Sequence, residues 1–179
     1  MLGQDTRGVP VSQLAGQVGL VFQNPDHQLF ADSVWGEATF AASNLGTLDE
    51  ATAAHVDEML GRSGLGDRRD DHPYRLSYGE KRRLNVISIL AHGPRLILLD
   101  EPLIGQDRNN AEFILGLLRD RVDTRADAVI MVNHDPDATR RYADRVLFFD
   151  GGRLVIDAPP QAAFERLRSM GREAYVPRN

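Results

Sequence analysis

The chain has 179 residues, of which 42% are hydrophobic, and this is enough for one domain with a substantial core. Its formal net charge is −5 with both signs interspersed, which argues against a nucleic-acid surface, where a basic stripe is expected. Cysteine is absent and no apolar run approaches the length of a membrane span, so disulfides are excluded and a soluble protein of the reducing cytosol is expected.

The first predicted strand is Val18–Phe22, an apolar run that ends at Gln23. Residues 1–13 before it are polar and are typical of the tail of an earlier element. The residues after Gln23 are rich in turn formers, and Asn24-Pro25-Asp26 interrupts any regular structure. A glutamine at a strand end is often only a loop residue, so Gln23 by itself indicates no function.

A mostly helical region is predicted from Ser33 to Ser63, because apolar residues recur there at helical spacing. A charged connector, residues 64–75, follows it. Three aromatic residues near the start either belong to the core, which we favour, or form an exposed surface for a partner helix: Phe30, Trp35 and Phe40.

Residues 76–91 predict a capped helix with one apolar face. Ser77 and Glu80 have the S-x-x-E spacing of a capping box, in which each side chain accepts a hydrogen bond from the other residue's backbone N–H. The start of such a helix also presents free N–H groups to an anion. Pro94 is expected to end the helix.

A strand follows at Leu96–Leu99, and its unbroken apolar run predicts burial on both faces of a parallel sheet. Asp100 and Glu101 stand where this strand emerges. Open α/β sheets bind their ligands at such carboxyl ends, so these two carboxylates are candidate site residues.

Helices and strands continue to alternate along the rest of the chain. Asp107 can cap a helix over Asn109–Arg121, and a second buried strand is predicted at Ala128–Val132. His134 lies just beyond that strand, and Asp135-Pro136 then begins a short helix. The chain ends in a hairpin with an Asp-Gly-Gly turn, residues 145–157, and an amphipathic helix, residues 161–170.

Five of these segments resemble the motifs of ABC-type ATPases. LSYGE and LILLDEP, with one helix between them, resemble the signature and Walker B motifs. VGLVFQNPDHQLF resembles the Q-loop in the form found in energy-coupling-factor and cobalt-type importers. LIGQD resembles the D-loop, although Leu103 and Gln106 replace a small hydroxyl residue and a leucine, and NHD places His134 as the switch histidine. The resemblance covers residues 18 to about 157.

The resemblance implies ATP and Mg²⁺ as cofactors and assigns a role to each motif residue. Glu101 would be the general base, Asp100 would bind magnesium, and Gln23 would help to hold the magnesium and the attacking water. His134 would contact the γ-phosphate. The residues implied to contact the nucleotide of an opposing subunit are Ser77, Gly79, Glu80 and Asp107. Tyr78 replaces the commoner glycine and Glu80 the commoner glutamine.

The P-loop pattern G-x-x-x-x-G-K-[ST] is absent from the 179 residues. In the family it precedes the Q-loop strand, so the chain is expected to begin after it. The expected fold is therefore an N-terminally incomplete α/β, P-loop NTPase-like domain over residues 1–179, with a mainly parallel sheet and an inserted helical subdomain at residues 33–89. The incomplete sheet is expected to have exposed edges and uncovered apolar area. The chain alone is expected to have low stability and to hydrolyse no ATP.

Three functions remain open on the sequence. The first is an ATPase subunit of an energy-coupling-factor or cobalt-type importer of a metal ion or vitamin. It would pair with a second ABC subunit, a copy or a paralogue, and sit on an integral membrane subunit at the cytoplasmic face of the plasma membrane. The second is a non-catalytic partner that donates only its signature motif, against which the intact Glu101 and His134 argue. The third is a soluble, non-transport ABC protein, which should show coiled-coil heptads or tandem cassettes.

Overall fold

The computed structural model describes Gly3, residues 5–125 and residues 127–177. The chain forms two compact units, Met1–Val132 and Asn133–Asn179. The helices of the first unit are α1 (Val11–Ala15), α2 (Val34–Asn44), α3 (Glu50–Arg62), α4 (Tyr78–Ala91) and α5 (Arg108–Arg125). Its strands are β1 (Val18–Val21), β2 (Leu96–Asp100) and β3 (Ala128–Val132), and short 3₁₀ turns lie at Pro25–His27, Gly66–Arg68 and Pro73–Arg75.

The three strands of the first unit form one parallel sheet in the order β1-β2-β3. In its register Leu20 lies beside Leu98, which lies beside Ile130. The predicted parallel α/β arrangement is confirmed. Because parallel strands end at the same edge, the residues after β1, β2 and β3 are brought together there.

Only one face of this sheet is covered in the first unit. Val21, Ile97 and Leu99 are buried in a core that they share with apolar side chains of α4 and α5. On the opposite face Ile130 and Val132 are each 52% exposed. The prediction that Leu96–Leu99 is buried on both faces is wrong in part, because Leu96 and Leu98 are only half-buried. The prediction of a buried strand at Ala128–Val132 is wrong for the face of Ile130 and Val132, whereas the prediction of uncovered apolar area is confirmed. An apolar run shows which side chains avoid water but not whether a layer lies over them.

Helix α4 begins and ends by local chemistry. The predicted capping box is present at Ser77 and Glu80. The helix ends at Ala91, earlier than Pro94, because Gly93 adopts a φ of +75°, the left-handed conformation that closes many helices. Helix α5 is longer than the predicted range of residues 109–121.

A buried polar cluster joins α4 and α5 at the amino-terminal edge of the sheet. The Arg121 Nη2 donates to the carbonyl of Pro94 at 3.0 Å, and Arg121 Nε lies 3.0 Å from Asp127 Oδ2. Both of these side chains are more than nine-tenths buried. His92, also buried, caps the C-terminus of α4 nearby. Burial and then the charge of Arg121 lower the pKa of His92, and together they outweigh the opposing effect of the Ala15 backbone.

This lowered pKa predicts a loss of stability in mild acid. The unfolded chain takes up a proton at His92 as the pH falls below about 6.5, whereas the folded chain resists protonation until a lower pH. The free energy of unfolding should therefore fall as the pH passes downward through this window. Urea denaturation of His92→Gln at a series of pH values should show a flatter dependence. His55→Gln, at an exposed position of α3, is the control and should keep the wild-type slope, and equal slopes for all three proteins would contradict the prediction.

The second unit contains an antiparallel hairpin and two helices, as the sequence predicts. Strands β4 (Val146–Asp150) and β5 (Arg153–Ala158) pair with an irregularity between Phe148 and Phe149. Helices α6 (Pro136–Tyr142) and α7 (Pro160–Ser169) flank them in the chain, and a 3₁₀ turn follows at Glu173–Tyr175. Side chains of β5 and α7, among them Ile156, Phe164 and Leu167, form this unit's core. Across the described residues of both units, every helix is too short or too polar to cross a membrane.

Candidate functional site

The carboxyl-terminal edge of the parallel sheet brings Gln23 and Glu101 into contact. Gln23 follows β1, and Asp100 is the last residue of β2, with Glu101 directly after it. The Gln23 Nε2 donates to Glu101 Oε2 at 3.0 Å, across 78 residues of sequence. The parallel pairing of β1 with β2 is what places these residues side by side.

Glu101 has an unusual backbone. Its φ is +49°, and it is the one non-glycine residue with a positive φ in the part of the chain that the structure describes. Its N–H donates to the carbonyl of Val132 at the end of β3, at 3.0 Å, which holds the turn in place. Such strained residues cost about 1–3 kcal/mol and cluster at functional sites, so this conformation supports a chemical role for Glu101.

A cavity of about 310 Å³ opens beside these residues, lined by Phe22, Gln23, Asn24, His27 and Asp100. The Asp100 residue is exposed at the cavity. Because the Gln23 amide nitrogen points to Glu101, its oxygen is available to a cation. Carboxylate and amide oxygens are hard donors, and Mg²⁺ is commonly held by one or two carboxylates together with substrate phosphates. The donor chemistry at this edge therefore fits magnesium.

The start of α4 presents Ser77 and fixes Glu80. Ser77 Oγ accepts from the Glu80 N–H at 3.4 Å, and Glu80 Oε2 accepts from the Ser77 N–H at 2.7 Å. The other oxygen of Glu80 accepts from Arg68 at 3.0 Å. Burial raises the pKa of Glu80, but the hydrogen bonds from Ser77 and the charge of Arg68 outweigh it and lower the pKa overall. Glu80 is thus an ionised cap, and Ser77 remains exposed at the helix start.

Gly79 lies where the signature-like segment packs against the D-loop-like segment. A Cβ at Gly79 would lie 3.1 Å from the carbonyl oxygen of Gly105 and 3.3 Å from Gln106 Nε2. Gln106 Nε2 donates to the Gly79 carbonyl at 3.2 Å, and its oxygen accepts from Arg83 at 3.3 Å. Gln106, which departs from the family's usual leucine, therefore joins the two segments by polar contacts.

Asp107 acts as the N-terminal cap of α5. Its Oδ1 accepts from the Asn110 N–H at 2.9 Å, and its Oδ2 accepts from the Asn110 side chain at 2.8 Å. The predicted capping role is confirmed. Its contact with a nucleotide remains a prediction.

His134 belongs to the second unit. It is exposed and stands directly before Asp135, whose side chain caps α6 by accepting from the N–H groups of Asp137 and Ala138. The predicted start of α6 is confirmed. The role of His134 toward a γ-phosphate remains a prediction.

One set of contacts was not anticipated from the sequence. Tyr78 and Arg82, on α4, contact the main chain at Phe22 and Gln23. Arg82 is completely buried, which is rare for arginine. The available signal was the spacing of Tyr78, Lys81, Arg82 and Asn85, which places four polar side chains on one face of the helix.

A second cavity, of about 270 Å³, lies between α2, α4 and the segment after β1. Phe22, Phe30 and Phe40 are among its lining residues, and the Phe30 and Phe40 rings meet edge to face at 4.4 Å. Phe30 is 60% exposed and Phe40 44% exposed, so their assignment to the core is wrong, whereas Trp35 packs against the core. A helical pattern alone does not show which end of an apolar stripe reaches the surface.

The known proteins to which this chain is similar are ATP-binding proteins of ABC transporters. A family model described as "ABC transporter" matches residues 1–104. A putative ABC transporter ATP-binding protein of Pyrococcus abyssi is 39% identical over 170 residues, which cover 95% of this chain and 61% of that protein. An energy-coupling factor transporter ATP-binding protein of Caldanaerobacter subterraneus is 34% identical over 167 residues, covering 91% and 58%. The chain thus spans about three fifths of the length of these two relatives.

One solved structure is similar to this chain in both fold and sequence. A subunit from Clostridium perfringens, described as part of the ABC transporter complex cbiONQ, is 30% identical and superposes with a TM-score of 0.71. The match covers 91% of this chain and 65% of that subunit. The fold of this chain is therefore that of an ATP-binding domain of the P-loop NTPase class.

Proposed function

The chain belongs to the ABC transporter ATP-binding family, and from that premise we propose that it is the ATP-binding and ATP-hydrolysing subunit of an importer. The importer is of the energy-coupling-factor or cobalt type and takes up a metal ion or a vitamin. The observation that carries the proposal is the hydrogen bond between Gln23 and the strained Glu101, with Asp100 beside them.

The reaction is hydrolysis of the γ-phosphate bond by water. Glu101 accepts the proton of the attacking water as general base. The Gln23 amide donates to Glu101, which orients the carboxylate. Its oxygen together with Asp100 would hold Mg²⁺. Magnesium, when bound, neutralises charge on the phosphates. The resemblance also implies that His134 would contact the γ-phosphate.

The nucleotide site is shared between two subunits. Ser77 and Gly79 at the start of α4 close over a nucleotide held by an opposing ABC subunit, and Asp107 lies in the segment beside them. Two observations support this arrangement: Ser77 is exposed at the start of a 14-residue helix, whose N-terminus favours anions, and Glu80 fixes that start. The opposing subunit is a second copy or a paralogue.

The 179 residues do not hydrolyse ATP on their own. They contain no G-x-x-x-x-G-K-[ST] pattern, and the chain's single lysine, Lys81, is paired with Asp26 at 2.7 Å. The proposed site would need a P-loop in addition to these residues. Within the single ATPase domain, residues 33–89 form the helical subdomain.

A membrane subunit is the second partner, and it holds this chain at the cytoplasmic face of the plasma membrane. The second cavity, which Phe22, Phe30 and Phe40 help to line, forms a groove that supports this part of the proposal. Exposed aromatic side chains beside a concave surface suit an amphipathic helix. The groove adjoins Gln23, so a helix of the membrane subunit docked there would lie next to the candidate nucleotide site.

The proposal is tested by supplying the missing motif. Residues 1–179 should show no ATP turnover, whereas the same residues preceded by the P-loop segment of an ABC relative should hydrolyse ATP. In this P-loop-supplied chain, Ser77→Ala should lower turnover at least tenfold, because the serine contacts the nucleotide across the dimer.

Ser33→Ala is the matched control, since Ser33 caps α2 by accepting from Gly36 at 3.0 Å. Both variants lose an N-cap worth about 1 kcal/mol of stability, but only Ser77→Ala should lose turnover. Turnover by the 179 residues alone, or equal activity of the two variants, would reject the proposal.

A further inference from the structure

We propose that Tyr78 and Arg82 are positioning residues that fasten Gln23 to helix α4, so that Gln23 moves with Ser77 as one body. The meaning of this link for hydrolysis rests on the proposed function. The link itself is a property of the described contacts.

The first step is the hold on the main chain at Gln23. The Tyr78 hydroxyl donates to the Gln23 carbonyl at 3.2 Å, and the buried Arg82 guanidinium donates to the carbonyls of both Phe22 and Gln23. Arg82 also donates to the Tyr78 hydroxyl at 3.3 Å. One planar guanidinium and one phenol thus fix two successive peptide groups. Arginine is suited to this role because its donors form a rigid fork.

The second step is that the hold continues along the same helix face. Lys81 Nζ lies 2.7 Å from Asp26 Oδ1, and Asn85 Nδ2 donates to the Pro25 carbonyl at 3.1 Å. Together with Tyr78 and Arg82, these residues lie three and four positions apart, which places them on one side of α4. Residues 22–26 are therefore bonded to a single face of the helix.

The third step is that the segment after β1 is internally braced. Gln28 accepts from the Phe22 N–H at 2.8 Å and donates to the Leu20 carbonyl at 2.7 Å. Farther on, one oxygen of the buried Glu37 accepts from the N–H groups of Phe30 and Ala31, each at 2.9 Å. Because Leu20 lies in β1, the Gln28 bonds tie Phe22 to the sheet, so a shift of α4 displaces Gln23 relative to β1.

These contacts determine which hydrogen bond breaks when α4 moves relative to the sheet. Gln23 reaches Glu101 by one side-chain hydrogen bond, whereas its main chain is held to α4 by Tyr78 and by charged donors of Arg82. Two donors of α4 thus hold the Gln23 carbonyl, against a single bond from its side chain to Glu101. The bond to Glu101 is therefore the one that breaks. Because Ser77 begins the same helix, a movement of the signature segment would thus displace Gln23.

The test compares two tyrosines with matched chemistry. Tyr78→Phe removes the hydroxyl that donates to the Gln23 carbonyl, and Tyr74→Phe removes a hydroxyl that donates to the Leu29 carbonyl at 3.1 Å. The signal is the side-chain amide of Gln23 in the full 179-residue chain, observed by NMR with ¹⁵N-labelled glutamine. Tyr78→Phe should shift this signal and raise its proton exchange about fivefold, the factor that corresponds to one hydrogen bond. Tyr74→Phe should leave it unchanged at a similar melting temperature.

A second variant makes the test independent of one substitution. Arg82→Lys keeps the charge but cannot reach both carbonyls with a planar fork, so it should move the Gln23 signal in the same direction. If both variants leave the signal where Tyr74→Phe leaves it, the link is overturned, whatever the ATP turnover.

The turnover of the P-loop-supplied chain separates the link from the proposed function. Tyr78→Phe should lower kcat severalfold with KM unchanged, because it alters the position of Gln23 and not nucleotide binding. A shifted Gln23 signal in a P-loop-supplied chain that hydrolyses no ATP would support the link and reject the proposed function. A shifted signal with wild-type kcat would overturn the positioning role.

Discussion

Glu101→Gln lowers the ATP turnover of the P-loop-supplied chain by about 100- to 10,000-fold, the range that a general base contributes. The amide cannot accept the proton of the attacking water. It can still accept the hydrogen bond from Gln23, and the backbone N–H that donates to Val132 is untouched. The fold and nucleotide binding should therefore persist while hydrolysis is lost. Phosphate release at saturating MgATP measures the effect.

The control for this substitution is Glu58→Gln. Glu58 lies on α3, is 61% exposed and pairs with Arg62 at the surface, so its neutralisation should leave turnover within about twofold. Turnover of Glu101→Gln within tenfold of the wild-type value would remove Glu101 from the role of base.

Mixing two inactive variants tests the shared site directly. In a mixed dimer of Glu101→Gln and Ser77→Ala subunits, one of the two sites combines an intact Glu101 from one subunit with an intact Ser77 from the other. Turnover should therefore rise above that of either variant alone. A mixture that stays as inactive as its components would contradict a head-to-tail site between two copies of this chain and would leave a paralogue as the opposing subunit.

Arg121→Ala should lower the free energy of unfolding by about 3–5 kcal/mol, which is the cost of leaving one partner of a buried ion pair uncompensated. Arg121 Nε lies 3.0 Å from Asp127 Oδ2, although the two atoms are not aligned as a hydrogen bond, and the Asp127 side chain is only 3% exposed. The substitution also removes the donor to the Pro94 carbonyl. Urea denaturation at pH 7 measures the loss.

Arg125→Ala is the matched control, because Arg125 approaches the same carboxylate at 3.7 Å but its side chain is 54% exposed. Solvent screens such a pair, so the change should stay below about 1 kcal/mol. The double variant Arg121→Leu/Asp127→Leu should recover much of the stability, since removing both charges leaves none buried alone. Equal losses for Arg121→Ala and Arg125→Ala would show that burial of the pair is not the cause.

Local chemistry was predictable from the sequence. The capping box at Ser77 and Glu80, the cap at Asp135 and the hairpin after Arg145 depend on residues within a few positions of one another, and the structure contains them all. The strands and their parallel pairing also followed from the apolar runs. These features are decided by spacing, which a sequence displays directly.

Contacts between distant residues were not predictable in this way. The hold of Tyr78 and Arg82 on Gln23 spans 55 and 59 residues. The spacing of polar residues on one face of α4 indicates that this face has a partner, but not which segment of the chain it is. Whether an apolar side chain is covered is equally non-local. Phe40 and Ile130 carry the pattern of core residues, yet each is about half exposed because no neighbouring layer of its own unit covers it.

The left-handed backbone at Glu101 sets two demands on one position that no single residue satisfies. With a φ of +49°, the main chain there would be relaxed by glycine, which has no Cβ to crowd the preceding carbonyl. The chemistry proposed for the same position requires a carboxylate. A Glu101→Gly chain would therefore be freed of this steric strain and would lose its base in the same change. A screen that selects for thermal stability alone would drift toward inactive proteins at this residue, so directed evolution of the chain must select for turnover and stability together.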